Sequence, residues 1–286
     1  MSRQVDSLRE FVSGFGHPLD EPRHIAMSNV VAVGSGKGGV GTSSVAALIG
    51  LQLARAGREV LLVDANDGAL HLLFGLDGSP GLDALGQRDV RPESVLVQVQ
   101  ERLTLLPGGP DDIGLGTPGR MERKSMLRRA ASLYGSYDLV LLDGGPRISS
   151  VLEACGAGAN RFIAVTGADR LSTAATYALL KGVGERLPGL ALEVLVNRES
   201  PEAAGRVDRH LRQALDHFHT GSVSFTGVIP SDQHVHGGPD RSGALQDVPF
   251  DAPAARAALE IGQRLDAETR TRPENIRAAW LQPTGS

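Results

Sequence analysis

One cysteine, Cys155, is all the thiol this 286-residue chain carries. A lone cysteine closes no disulfide within a chain and builds no cysteine-ligated zinc or iron–sulfur site. Set among small residues in EACGAGA, it reads as a small buried hydrophobe. Aromatic residues are scarce at 4%, which argues against stacking platforms for nucleic-acid bases. Net charge is −4, too balanced for a broad nucleic-acid-binding face. No apolar run approaches the ~20 residues that span a bilayer. Charges interrupt MSRQVDSLREFV, where a signal peptide needs an apolar centre. A cytoplasmic protein is the simplest expectation.

What the chain does have is glycine, 36 residues, and 41% hydrophobic residues, enough for one large α/β domain or two small ones. Short apolar runs recur at 30–33, 60–64, 103–106, 139–143, 162–166, 192–197 and 223–230. Most are continuously hydrophobic, as in strands buried on both faces of a parallel sheet. Between them lie helical patterns. Val45, Leu48, Ile49, Leu53 and Ala56 share one helix face and Gly57 ends it, with further helices expected over 119–134, 170–186, 203–217 and 252–265. Alternating strand and helix predicts a doubly wound, mostly parallel α/β sheet flanked by helices, over 27–267. Residues 1–12 are expected to form an amphipathic helix and 13–26 a Gly/Pro linker, with a polar tail over 268–286.

The stretch VVAVGSGKGGVGTSS is a strand, a glycine-rich turn and a helix start. Such a turn aims successive backbone N–H groups inward and, with the helix N-terminus, cradles polyphosphate. Ser43 is placed to ligate magnesium beside the phosphates.

These residues resemble the deviant phosphate loop of the MinD/ParA ATPases, which reads K-G-G-x-G-K-[ST]. Lys37 matches the signature lysine that in the family reaches across a dimer to the partner's nucleotide. The resemblance implies ATP or ADP and Mg2+ as ligands. It implies nucleotide contacts along Gly36, Lys37, Gly38, Gly39, Val40, Gly41, Thr42, Ser43 and Ser44, with Asn197 and Pro230 on the adenine side. Ser43, Asp64 and Asp143 would hold the metal, the two aspartates through water.

The departures fall at the chemistry. Thr42 stands where the second lysine grips the β- and γ-phosphates, and Asn66 where the family has its water-orienting aspartate. An amide takes up no proton. Asp67 is adjacent, but neighbours on an extended chain point to opposite sides. Gly144 replaces a threonine, and Pro146–Arg147 occupies the turn whose glycine meets the γ-phosphate. Losing one charged hydrogen bond, about 1.5–3 kcal/mol, lowers affinity about ten- to a hundredfold. With grip, water activation and sensor all altered, weak binding and very slow or absent hydrolysis are expected. Arg147 and Lys37 are the candidate replacement charges.

Within the family, RQVDSLREFV is similar to the D-Q-A-x-x-L-R element of the FlhG/FleN/YlxH branch, through Gln4, Leu8 and Arg9. That resemblance implies a regulator of flagellar number or placement. Its implied partners are an FlhF-like SRP GTPase engaged by the N-terminal helix, a flagellar transcription activator, and a second copy in a nucleotide-linked dimer. The alternative is an active dimerising ATPase in positioning or DNA partition. Membrane contact through Ile276, Ala279 and Trp280 is marginal at two turns, leaving the inner membrane or a cell pole as secondary locations. His217 with His219, and His234 with His236, read as exposed histidines. The basic run 119–129 reads as a solvated face and the best candidate for an acidic partner or lipid.

Overall fold

The computed structural model describes residues 26–66, 70–109, 120–215, 223–235 and 245–271. The expected helix and linker at the N-terminus, Asp67, His217, His219, His236 and the tail after 271 lie outside them, and with them Gln4, Leu8, Arg9, Ile276, Ala279 and Trp280.

Eight strands form one sheet: β1 (Met27–Ser35), β2 (Val60–Asp64), β3 (Val97–Gln100), β4 (Leu103–Leu106), β5 (Leu139–Asp143), β6 (Ala159–Thr166), β7 (Ala191–Asn197) and β8 (Val223–Ile229). Their order is β3-β4-β2-β5-β1-β6-β7-β8. Every neighbouring pair is parallel except β3–β4 at the edge. The doubly wound, mostly parallel expectation holds. The antiparallel β3 escaped prediction because VQVQ alternates and is only partly buried.

Two apolar layers clothe the sheet. On one face lie α1 (Thr42–Arg55), the short α2 (Leu70–Leu73) and α7 (Pro253–Thr271). On the other lie α3 (Arg120–Ala130), α4 (Ile148–Gly156), α5 (Arg170–Arg186) and α6 (Pro201–Leu215). Alternation sorts the strand residues: Val31 and Val33 of β1 face α1 and α7, whereas Val30 and Ala32 face the other layer. Cys155 is fully buried, as its setting suggested.

Several boundaries move. α1 is buried on nearly every side, because α7 covers the flank a one-faced helix would leave wet. α7 runs to Thr271, past the expected domain end at 267, and the predicted helix over 119–134 passes into a tight 3-10 turn at Ala131–Ser136. The basic helix α3 is not simply a solvated face. Arg129 turns inward onto the carbonyls of Leu85, Gln87, Arg88 and Val90, and Arg123 donates to Ala65 O at 2.9 Å. These bonds tie the helix to carbonyls of the neighbouring loops.

Candidate functional site

The loop spans Gly36 to Gly41, between the end of β1 and the first turn of α1. It is fastened at three points. Ser35 N–H donates to Gly145 O at 3.0 Å, tying the loop's base to the turn after β5. Asn197 Nδ2, at the end of β7, donates to Val40 O at 2.8 Å. Gly36 packs so tightly on α5 that a Cβ there would lie 2.3 Å from Ala175 O. Gly41, the N-cap of α1, has φ +88°, a conformation that disfavours any side chain.

Thr42 occupies the missing lysine's position and its hydroxyl is turned inside the loop. Its Oγ1 donates to Ser35 Oγ at 2.8 Å, and Ser35 Oγ donates on to Lys37 O at 3.1 Å. The side chain is buried and presents no charge to a ligand. Lys37 is held within its own chain: Nζ lies 3.4 Å from Asp169 Oδ1 and 3.4 Å from Ser172 Oγ. Asp169 is the N-cap of α5, accepting from Ser172 N at 3.0 Å. Partial burial opposes its charge, yet the Ser172 hydroxyl and amide and the Lys37 ammonium keep its carboxyl below the usual range. At 38% and 54% side-chain exposure the Lys37–Asp169 pair is weak and easily exchanged.

Parallel register brings the acids together. Asp64 ends β2, Asp143 ends β5, and the two are paired residues across the strands. By alternation both follow the side chains that face α1. Asp64 is buried and accepts from the amides of Asn66 and Leu70, each at 3.1 Å, so it shapes the turn before α2. Asp143 is also buried, and burial pushes its carboxyl above the ordinary range. Hydrogen bonds from Ser43 and the Gly145 amide oppose that rise. A buried carboxyl beside a serine hydroxyl at a helix start suits a hard divalent cation.

Asn66 lies against the turn after β5. A Cβ on Gly145 would come within 2.2 Å of Asn66 Nδ2, and Asn66 Oδ1 is buried with no partner among the described residues. Arg147 stands at the exposed N-cap of α4. Ser44 lies in the first turn of α1, and Pro230 directly follows β8. After Pro230, Asp232 accepts from the His234 amide at 2.9 Å and from Ala254 N, at the start of α7, at 3.0 Å. His234 Nδ1 also rests 2.9 Å from Asp232, so this histidine is paired rather than free. Among the described residues no group of three or more His, Cys, Asp or Glu could hold a metal unaided.

The residues present fit Mg2+ and a nucleotide. A Cβ on Gly38 or Gly39 would meet nothing within 4 Å, an orphaned acceptor waits at Asn66, and Ser43 and Asp143 already share a hydrogen bond. Bound Mg2+ would neutralise phosphate charge there; Ser43, Asp64 and Asp143 are the side chains to hold it. Sequence inspection missed Asp169, which the capping pattern D-x-x-S announces.

Asp143→Asn should raise the melting temperature of the ligand-free protein at pH 7 in chelator, because it removes a buried charge. A folded-state pKa above the unfolded value makes folding take up a proton. The wild-type penalty is therefore full above the folded pKa and vanishes below the unfolded value of about 4. Thermal unfolding at pH 7 and pH 5 should show the variant's advantage shrinking with acid. No advantage at pH 7 would contradict the burial argument.

Three relatives place this geometry. The family model described as cellulose biosynthesis protein BcsQ matches residues 27–215. Antiactivator FleN of Pseudomonas aeruginosa is 24% identical over 241 residues, covering 83% of this chain and 86% of FleN. The septum site-determining protein MinD of Thermotoga maritima is 27% identical over 224 residues, covering 73% of this chain and 78% of its own. The solved structure of MinD from Pyrococcus horikoshii, complexed with Mg-ADP, aligns with a TM-score of 0.62 at 25% identity, over 83% of this chain and 96% of that one. A match running from β1 to the end of α6 spans the loop, both strand-end aspartates and Asn197, and the chain belongs to the MinD/ParA family of P-loop ATPases.

Proposed function

We propose that this chain is an FlhG/FleN-like regulator of flagellar number or placement, with a nucleotide site that binds weakly and turns over very slowly. One observation carries the second half: at residue 42 a hydroxyl bonded to Ser35 stands in for a cation. A neutral group spent inside the loop offers nothing to the charge that builds on transferring phosphate oxygens. The likeness to FleN, over 83% of this chain, supports the regulatory half, together with Gln4, Leu8 and Arg9 of the N-terminal element.

The chain's own groups set what the site can do. The loop amides and the start of α1 receive phosphate. Ser43 and Asp143 position the cation, and Asp64 braces the turn that carries Asn66. Asn66 Oδ1 can accept a hydrogen bond from water and orient it, but takes no proton from it. The product is a nucleotide-responsive binding protein that acts through partners: an FlhF-like SRP GTPase at the N-terminal helix, a flagellar transcription activator, and a second copy across the nucleotide.

The active dimerising ATPase is the second reading, favoured by Lys37. Its bond to Asp169 is exposed, so the lysine can swing to a partner's nucleotide at small cost.

Thr42→Lys should tighten Mg-ATP binding about ten- to a hundredfold by titration calorimetry. Equal affinities in wild type and variant would remove the weakened-grip half of the proposal. Deleting residues 1–12 should abolish stimulation of an FlhF-like GTPase in a turnover assay while leaving ATP affinity unchanged. Full stimulation by the truncated chain would remove the FlhG-like half.

A further inference from the structure

Near the start of α3, Arg123 turns its guanidinium away from water, toward the layer that holds Ala65, Met126, Leu127, Ile148 and Leu152. Nη1 donates to Ala65 O at 2.9 Å, and Nε lies 3.8 Å from Glu153 Oε2 on α4. At 12% and 7% side-chain exposure both charges have lost most of their hydration. Apolar residues of similar volume often hold such a place as well or better. What they cannot do is bond a backbone carbonyl and a second helix at once. The planar fork of a guanidinium does both.

The carbonyl that Arg123 holds directly precedes Asn66. The Asn66 amide donates to Asp64 Oδ1 at 3.1 Å, so the turn after β2 is fixed on both sides of that residue. Glu153 belongs to α4, whose N-cap Arg147 ends the turn after β5. Asn66 also packs directly against that second turn, at Gly145. The two turns are therefore joined twice, once between Asn66 and Gly145 and once through Arg123 and Glu153.

The metal position says which phosphate these turns meet. Magnesium in P-loop NTPases bridges the β- and γ-phosphates. With Ser43, Asp64 and Asp143 to hold it, a terminal phosphate lies beyond the paired ends of β2 and β5, against the turns that follow them. A diphosphate has no group there and rests on the loop and the start of α1.

We infer that Arg123 is a positioning residue that locks the turn after β2 to α4, so that the two turns form one preset surface selecting a nucleoside triphosphate over a diphosphate. This rests on the nucleotide reading above. Arg123 touches no ligand and acts through Asn66. Its effect is confined to the terminal phosphate, and the loop binds the rest of the nucleotide without it.

The test uses the full chain and the double variant Arg123→Met/Glu153→Leu, which removes both buried charges together and should melt no lower than wild type. Arg123→Lys keeps a cation beside Glu153 and serves if the double variant fails to fold; it should show the same effects, smaller. In the ligand-free protein, hydrogen exchange at the Asn66 and Leu70 amides, both bonded to Asp64, should quicken about tenfold while β5 is unchanged. Calorimetric titration, in wild type and in the Thr42→Lys background, should show Mg-ATP weakened about tenfold and Mg-ADP unaltered. Unchanged exchange at both amides overturns the inference whether or not nucleotide binds. Unchanged ATP affinity, or an equal loss for ATP and ADP, also overturns it and leaves the nucleotide reading standing. If neither nucleotide binds wild type or Thr42→Lys, the nucleotide reading fails and the triphosphate selectivity with it.

Discussion

Parallel pairing of β2, β5 and β1 places the ends of three strands side by side, and the site depends on that alignment. Asp64 lies opposite Asp143, and Asp143 opposite Val33, two residues before Ser35 opens the loop. Because paired residues in a sheet point the same way, one register sets the acids and the start of the loop beneath α1. A shift by one residue would turn both carboxylates into the opposite layer, among Val140, Leu142 and the α4 side chains. The hydrophobic runs that bury both faces thereby also fix the polar edge.

Within that frame the charges have been rearranged. The position that normally faces β- and γ-phosphates carries a hydroxyl used to hold the loop closed. Lys37 is parked on Asp169, and the cation nearest to Gly41 is Arg198. Burial of Asp143 without a bound cation costs stability, which is the usual signature of a site shaped for a ligand. On the proposed reading the cradle is kept while the groups that drive turnover are altered, and such a protein would respond to nucleotide by changing which surfaces it presents, without a fast chemical clock.

Much of this was legible in the sequence, for identifiable reasons. Seven strands were visible because most are continuous apolar runs, the pattern forced by helices on both faces. The loop was visible because its glycines and hydroxyls are contiguous. β3 was not, being polar and paired only at the edge, nor was α4, whose ISSVLEACG is too short to establish a period. The all-round burial of α1 depends on α7, which lies some two hundred residues further along the chain. Long-range partners were equally hidden. Asn197 meets Val40 across 157 positions and Lys37 meets Asp169 across 132, and no local spacing encodes either. The left-handed turn at Arg198 is held by a bond to β8, so it could emerge only from the fold.

The most direct trial of the central claim is phosphate release from Mg-ATP under multiple turnover by the purified full-length protein, beside Lys37→Ala. A site that retains nucleotide but lacks the lysine grip and the proton-accepting acid predicts release at the background rate, the same in both proteins. Sustained turnover by the wild type that disappears in Lys37→Ala would contradict it.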